Sequence, residues 1–159
     1  MDEYPPFDPT RTTLPEPYLI ALGRVTYIWG GLESVVELAI TKLMALDPFD
    51  PKSAIIVAHL SWPQRMDILE SLVTLLADDY PHLQRFPNVR IMLKKAQDGR
   101  NKLAHNKLAY QDDQVVMLQL SSRGKLKTSI TPLSVTDIDE VFSDIGNASM
   151  ELLKLVLNK

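Results

Sequence analysis

The sequence predicts a mostly α-helical protein, a bundle of about four main helices with a short β-hairpin before the last helix. Apolar residues recur at three- and four-residue steps over most of the chain, which is typical of amphipathic helices. Prolines and capping residues separate these periodic segments, and a strand-like pattern occurs only between residues 115 and 130. With 159 residues, of which 45% are hydrophobic, the chain can form one domain with a substantial core.

The N-terminal part divides into an arm and a long helix. Residues 1–16 are rich in proline and are predicted to form an extended arm, followed by a single helical domain over residues 17–159. The first helix is expected from Pro17 to Ala45. Gly30 and Gly31 weaken it, and we expect them to allow close approach of a neighbouring helix. The predicted buried stripe consists of Leu22, Thr26, Trp29, Leu32, Val36, Ile40 and Leu43.

Capping signals mark the next two helices. Asp50 is a plausible N-cap for a short helix over residues 51–60, which begins with a proline. Ser61 and Gln64 have the spacing of a capping box and begin a helix that continues to about Asp78. A further helix is predicted from Pro87 to Lys107.

The C-terminal part predicts a hairpin and a closing helix. Two β-prone segments, residues 115–120 and 125–130, flank a glycine-containing turn at residues 121–124. The last helix is expected over residues 134–158. The candidates for its buried face are Val135, Ile138, Val141, Phe142, Ile145, Met150, Leu152, Leu153 and Val156.

Charge is unevenly distributed along the chain. The net charge is −3, which argues against broad, non-specific binding to nucleic acid. Residues 85–107 nevertheless carry a net charge of +6, so the remainder carries −9. A basic segment on an acidic body is what local contact with RNA or phosphate would produce, although for the charge alone a solvated helix face is the preferred interpretation.

Composition also limits location and cofactors. The chain has no cysteine, no basic and apolar signal sequence at its start and no apolar run near the roughly 20 residues that span a bilayer, so we expect a cytoplasmic protein with no membrane contact. His59, His82 and His105 lack short ligand spacing, and no glycine-rich phosphate loop is present. We therefore expect no metal and no cofactor.

The most informative segment for chemistry is Gly99–Asn106, late in the third main helix. Asn101 and His105 are four residues apart and should share a helix face, and the long side chain of Arg100 could reach the same patch. Guanidinium binds phosphate through paired hydrogen bonds, and imidazole transfers protons near neutral pH. Together they suit recognition or cleavage of a phosphodiester.

Arg100 also lies among the apolar positions of its helix, where an unpaired cation would be costly. Glu33 occupies a similar position in the first helix, four residues after Trp29. We therefore expect a Glu33–Arg100 ion pair, which could support a site or serve the fold alone.

The sequence Arg100-Asn101-x3-His105, late in a bundle helix, resembles the signature of the HEPN superfamily. The Trp29-x2-Leu32-Glu33 pattern is similar to that of many bacterial members. The resemblance covers residues 17–158, but Asn106 and Tyr110 differ from the glycine and tryptophan often found after the histidine. It implies an α-helical bundle that dimerises and brings two Arg-His motifs together.

Many HEPN proteins are metal-independent endoribonucleases of toxin–antitoxin or phage-defence systems, and the resemblance implies such an enzyme here. His105 would be the general acid or base, Arg100 would stabilise phosphoryl charge and Asn101 would orient His105 or the phosphate. Lys102 and Lys107 are expected to bind the RNA.

The alternative is a non-catalytic module of the same dimeric form. In that case the cluster would serve as an interface or nucleotide-binding patch, and the partner would be a nucleotidyltransferase or an antitoxin. A transcriptional regulator is disfavoured, because no helix-turn-helix with a basic recognition helix is apparent.

Overall fold

A computed structural model describes residues 14–111, 113–121 and 127–157, so the arm predicted over residues 1–16 lies mostly outside the described residues. The expected class is confirmed: a helical bundle with a small sheet before the last helix. In chain order the elements are α1 (Glu16–Leu43), α2 (Pro51–Ala58), α3 (Trp62–Leu76), a 3₁₀ helix (Pro81–Arg85), α4 (Phe86–His105), β1 (Lys107–Gln111), β2 (Gln114–Ser121), β3 (Lys127–Pro132) and α5 (Val135–Leu157).

Helix α1 is the central element of the bundle, because α5 and α3 both pack against it. The predicted stripe is correct at its centre, whereas Thr26 is exposed and bonds only the Leu22 carbonyl. The buried residues of α1 are Ala21, Val25, Trp29, Leu32, Val36, Ala39, Ile40 and Thr41. By its length and its mean hydropathy of 1.2, α1 could also cross a membrane, but a core helix of a bundle has the same properties.

Helices α4 and α5 approach closely at Gly99. A Cβ atom on Gly99 would lie 3.1 Å from one methyl carbon of Val141 and 3.2 Å from the other. The low bulk of Gly99 and its small neighbours predicts a close helix approach at or beside a two-fold interface, whereas within the chain the close neighbour of Gly99 is Val141 of α5. The expected close approach is absent at Gly30 and Gly31 within the described chain, because a Cβ there would meet no atom within 4 Å.

The predicted helix starts are present as hydrogen bonds. The Asp50 side chain accepts from the Lys52 backbone N–H at 2.9 Å, which begins α2. Gln64 Oε1 accepts from the Ser61 backbone N–H at 2.8 Å at the start of α3. For α5, the predicted buried face is largely correct, but Met150 is 55% exposed and Ala148 and Leu155 are buried instead.

The predicted hairpin is part of a three-stranded antiparallel sheet in the order β1-β2-β3. The additional strand β1 begins at Lys107, so the predicted extension of the helix to Lys107 is wrong by two residues. In the register, Met117 of β2 lies between Leu108 of β1 and Thr131 of β3. Val115 and Met117 are buried and join the bundle core, which attaches the sheet to the helices. Most of the predicted turn, from residue 122 onward, lies outside the described residues.

The two kinds of glycine predict opposite effects of substitution. Gly30→Ala should raise the free energy of unfolding by about 0.5–1 kcal/mol, because alanine favours the helix and the position is open. Gly99→Val should lower it by about 1–3 kcal/mol, because its methyl groups would overlap with Val141. Urea unfolding at one protomer concentration measures both. A Gly99→Val protein as stable as the original would contradict the close approach of α4 and α5.

The start of α5 gives a pH-dependent prediction. Ser134 Oγ accepts from the Asp137 N–H at 3.1 Å, while the Asp137 carboxylate accepts from the Ser134 N–H at 2.7 Å and hydroxyl at 2.6 Å. These bonds to Ser134 hold the pKa of Asp137 below its ordinary value. The ionised carboxylate therefore stabilises the fold above the unfolded-state pKa of about 3.9, and this contribution is lost as the pH falls through the lower folded-state pKa.

Ser134→Ala should accordingly cost about 1 kcal/mol at pH 7, and less at pH 3. Ser143→Ala is the control, because its hydroxyl only bonds the Asp139 carbonyl within the helix. Equal losses for Ser134→Ala at both pH values, measured by urea unfolding, would argue against the carboxylate's part in this cap.

Candidate functional site

Arg100 is half-buried and faces α1. Its guanidinium carbon lies 5.3 Å from the ring centroid of Trp29, in a cation–π contact, and its Nη1 donates to Asn101 Oδ1 at 3.2 Å. Among the residues that the structure describes, no carboxylate forms an ion pair with Arg100. The arginine of the motif is thus held by a ring and an amide, and its charge is not neutralised.

His105 is exposed and is the last residue of α4. At about 100° per residue, Arg100 and His105 are about 140° apart around the helix, whereas Asn101 and His105 are about 40° apart. The His105 ring has no hydrogen bond within the described part of the chain. One protomer therefore places Arg100 against α1 and His105 at the surface, instead of gathering both on one patch.

Asn101 contacts Arg100 directly. Its Oδ1 accepts from Arg100, so its amide NH₂ is the group that remains to donate. Because Asn101 shares a helix face with His105, this donor lies on the side of α4 that carries the imidazole. Asn101 thus holds the guanidinium with its oxygen and has an amide donor left for a further partner.

The expected Glu33–Arg100 pair is wrong. Glu33 Oε1 lies 3.9 Å from Nη1 of Arg65 in α3, and Glu37 Oε1 lies 2.8 Å from Nη2 of the same guanidinium. Arg65 is 8% exposed and takes both carboxylates because α3 packs beside this face of α1. The sequence analysis did not identify Arg65 as a buried residue, although it lies next to Met66 and four residues before Leu69, which are both buried in α3.

A second tryptophan supports Trp29 from α3. The Trp29 and Trp62 rings lie 4.5 Å apart between centroids and are tilted by 41°. Trp62 is the first residue of α3. Arg100, near the C-terminal end of α4, contacts the indole of Trp29. The sequence contains only these two tryptophans. Trp29 lies on the predicted buried stripe of the first helix and Trp62 at the start of a later helix, and these positions could have indicated that the two rings meet.

The cations of α4 divide into two groups. Those before Gly99 are paired: Arg90 with Glu70 at 3.4 Å, Lys95 with Asp144 at 2.8 Å, and Lys94 with Asp98. After Gly99, Arg100 and Lys102 form no ion pair with any described residue, although the charge of Lys102 contributes to lowering the pKa of Asp137. The cations of α4 that lack an ion pair with a described residue therefore lie at its C-terminal end, around the motif.

Asn106 explains how that end of α4 is terminated. Its Nδ2 donates to the Lys102 carbonyl at 2.7 Å and lies 3.5 Å from the sulfur of Met117. It thereby satisfies one of the carbonyl groups that a helix C-terminus leaves free, and it connects the last turn to β2. Lys107 follows as the first residue of β1 and is exposed.

The described residues contain no group of three or more His, Asp or Glu side chains that could hold a metal ion. Comparisons of the chain with family models, with curated proteins and with solved structures found no match.

Removing the partner of the buried arginine should be costly. Glu37→Gln should lower the free energy of unfolding by about 1–3 kcal/mol, because Arg65 would lose its closest carboxylate in a nearly dry setting. Glu70→Gln is the matched control, since its partner Arg90 is more exposed, and should change stability by less than about 1 kcal/mol. Equal losses in urea unfolding would mean that Arg65 does not depend on Glu37.

Proposed function

We propose that the protein is a metal-independent endoribonuclease of HEPN type, acting on RNA at a site shared by two protomers. The observation that carries the proposal is that Arg100 and Lys102, close to His105 at the C-terminal end of α4, form no ion pair with a described residue, whereas the cations before Gly99 are paired. An uncompensated guanidinium next to an amide donor suits a phosphodiester. A cytoplasmic toxin or defence role belongs to the same proposal.

The reaction needs no protein nucleophile, because RNA supplies its own 2′-hydroxyl. A general base removes the 2′-hydroxyl proton as this oxygen bonds to phosphorus, the P–O5′ bond breaks, and a general acid returns a proton to O5′. His105 would serve in these proton transfers, and Arg100 would stabilise the charge that grows on the phosphoryl oxygens. Asn101 would orient the phosphate, and Lys102 and Lys107 would bind neighbouring phosphates.

A second protomer is part of the proposal for a geometric reason. Arg100 and His105 point about 140° apart on one helix, and a reaction with two proton transfers is served better by two imidazoles than by one. A two-fold axis beside the exposed side of residues 101–105 would place one protomer's motif opposite the other's. Each protomer would then complete the other's site.

The experiment measures cleavage of a labelled RNA by the purified homogeneous protein in the presence of EDTA. His105→Ala should reduce the rate by about 10²–10⁴-fold and Arg100→Ala by about 10²–10³-fold. Arg90→Ala is the control, because this cation of the same helix is paired with Glu70, and it should retain the rate. An RNA with 2′-O-methyl groups at the cleaved positions should resist cleavage.

Folded His105→Ala protein that cleaves at the full rate would contradict the assignment of the general acid or base. Light scattering of the same samples tests the shared site independently. A protein that is monomeric at the concentrations at which it cleaves RNA would exclude a composite site, whatever the effect of the substitutions.

One observation favours a second candidate, a non-catalytic interaction module that binds a nucleotidyltransferase or an antitoxin. The contact of Arg100 with Trp29 and Asn101 exists within one chain and could serve an interface instead of a reaction. This candidate predicts no RNA cleavage by any variant. It also predicts that Arg100→Ala weakens dimerisation or partner binding, which light scattering or partner titration would detect.

A further inference from the structure

The Arg100 guanidinium lies against the face of a buried ring. Trp29 is 7% exposed and packs against Trp62 at 4.5 Å, so its indole is held between the helices. Arg100 lies over that indole at 5.3 Å. A long arginine side chain would otherwise sample many rotamers, and a fixed aromatic surface reduces that freedom without enclosing the charged group.

A ring holds a guanidinium without consuming its hydrogen-bond donors. Arginine has five N–H donors, and the one bond described here, from Nη1 to Asn101 Oδ1, uses one of them. A carboxylate in place of Trp29 would occupy two donors and cancel the charge. The contact with Trp29 therefore leaves most of the donor set for an anionic ligand.

The ion pairs nearby leave the Arg100 guanidinium without a carboxylate partner among the described residues. Glu33, one turn after Trp29 in α1, is the carboxylate best placed by sequence to neutralise Arg100, but it lies within ion-pair distance of Arg65. Glu37 is held more tightly by the same residue, at 2.8 Å. Arg65 thus occupies the acidic side chains of α1 near the motif, and Arg100 is left with the ring.

We propose that Trp29 is the positioning residue of Arg100: it fixes the guanidinium by its indole face at the point where the phosphate is bound in the transition state. The proposal rests on the proposed ribonuclease function for its consequence in catalysis. It assigns to Trp29 no contact with RNA, since the indole is buried. Its effect should pass entirely through Arg100.

The test combines kinetics with a double-mutant cycle. Trp29→Leu should lower kcat by about 10- to 100-fold with KM changed less than about twofold, because a misplaced guanidinium loses transition-state contacts first. Trp29→Phe keeps a ring and should retain kcat within about threefold. In the Arg100→Gln background, measured in single turnovers with excess protein, Trp29→Leu should reduce the rate by no more than about twofold further.

Phe86→Leu is the matched control, because Phe86 is equally buried but lies at the opposite end of α4 from the motif. It should leave kcat unchanged at temperatures where all variants are folded. A folded Trp29→Leu protein with normal kcat would overturn the proposal. So would an equal loss of rate in the Arg100→Gln background, because Trp29 would then act through the fold and not through Arg100.

A readout without RNA separates this proposal from the proposed function. In urea unfolding at one protomer concentration, the Trp29→Leu and Arg100→Gln substitutions should be coupled by about two- to fivefold in the unfolding equilibrium constant. Coupling in a protein that does not cleave RNA would reject the nuclease and retain Trp29 as the anchor of Arg100. Absence of coupling would overturn the anchor itself.

Discussion

Trp29 contacts Trp62 of α3 and Arg100 of α4, so that one indole on α1 connects three helices of the bundle. α3 is also joined to α1 by the ion pairs of Arg65, whereas α4 packs mainly on α5 and has few direct contacts with α1. The geometry of the motif therefore depends on an apolar contact that belongs to the core. Packing, which fixes the indole, also decides where the guanidinium is held.

Most of the carboxylates around α1 and α4 form ion pairs with cations outside the motif. Arg65 takes Glu33 and Glu37, while Glu70, Asp98 and Asp144 pair with the earlier cations of α4. Although the chain has a net charge of −3, Arg100 and Lys102 form no ion pair with a described residue. The cations at the C-terminal end of α4 also interact favourably with the helix dipole, so they have a structural role in addition to any role in binding a ligand.

The parts of the fold that depend on local signals could be predicted from the sequence, and the parts that depend on the packing of distant elements could not. Asp50 and Ser61 identified helix starts because a cap is made within three residues. β1 was missed because it follows α4 after the single residue Asn106, a connection too short to separate a helical from an extended pattern. The predicted Glu33–Arg100 pair is wrong because the choice between Arg65 and Arg100 depends on which helix packs beside Glu33. The motif residues could be named in advance, but the ring that holds Arg100 could not.

Gly99, the residue before the motif, lies close to one side chain of α5, that of Val141. The space between the backbones of α4 and α5 at this point is filled by the hydrogen of Gly99 and the methyl groups of Val141. In relatives of this chain, a larger residue at position 99 should therefore occur together with a smaller one at position 141. Paired variation at these two positions would be an evolutionary record of the distance between α4 and α5, and hence of where the motif sits.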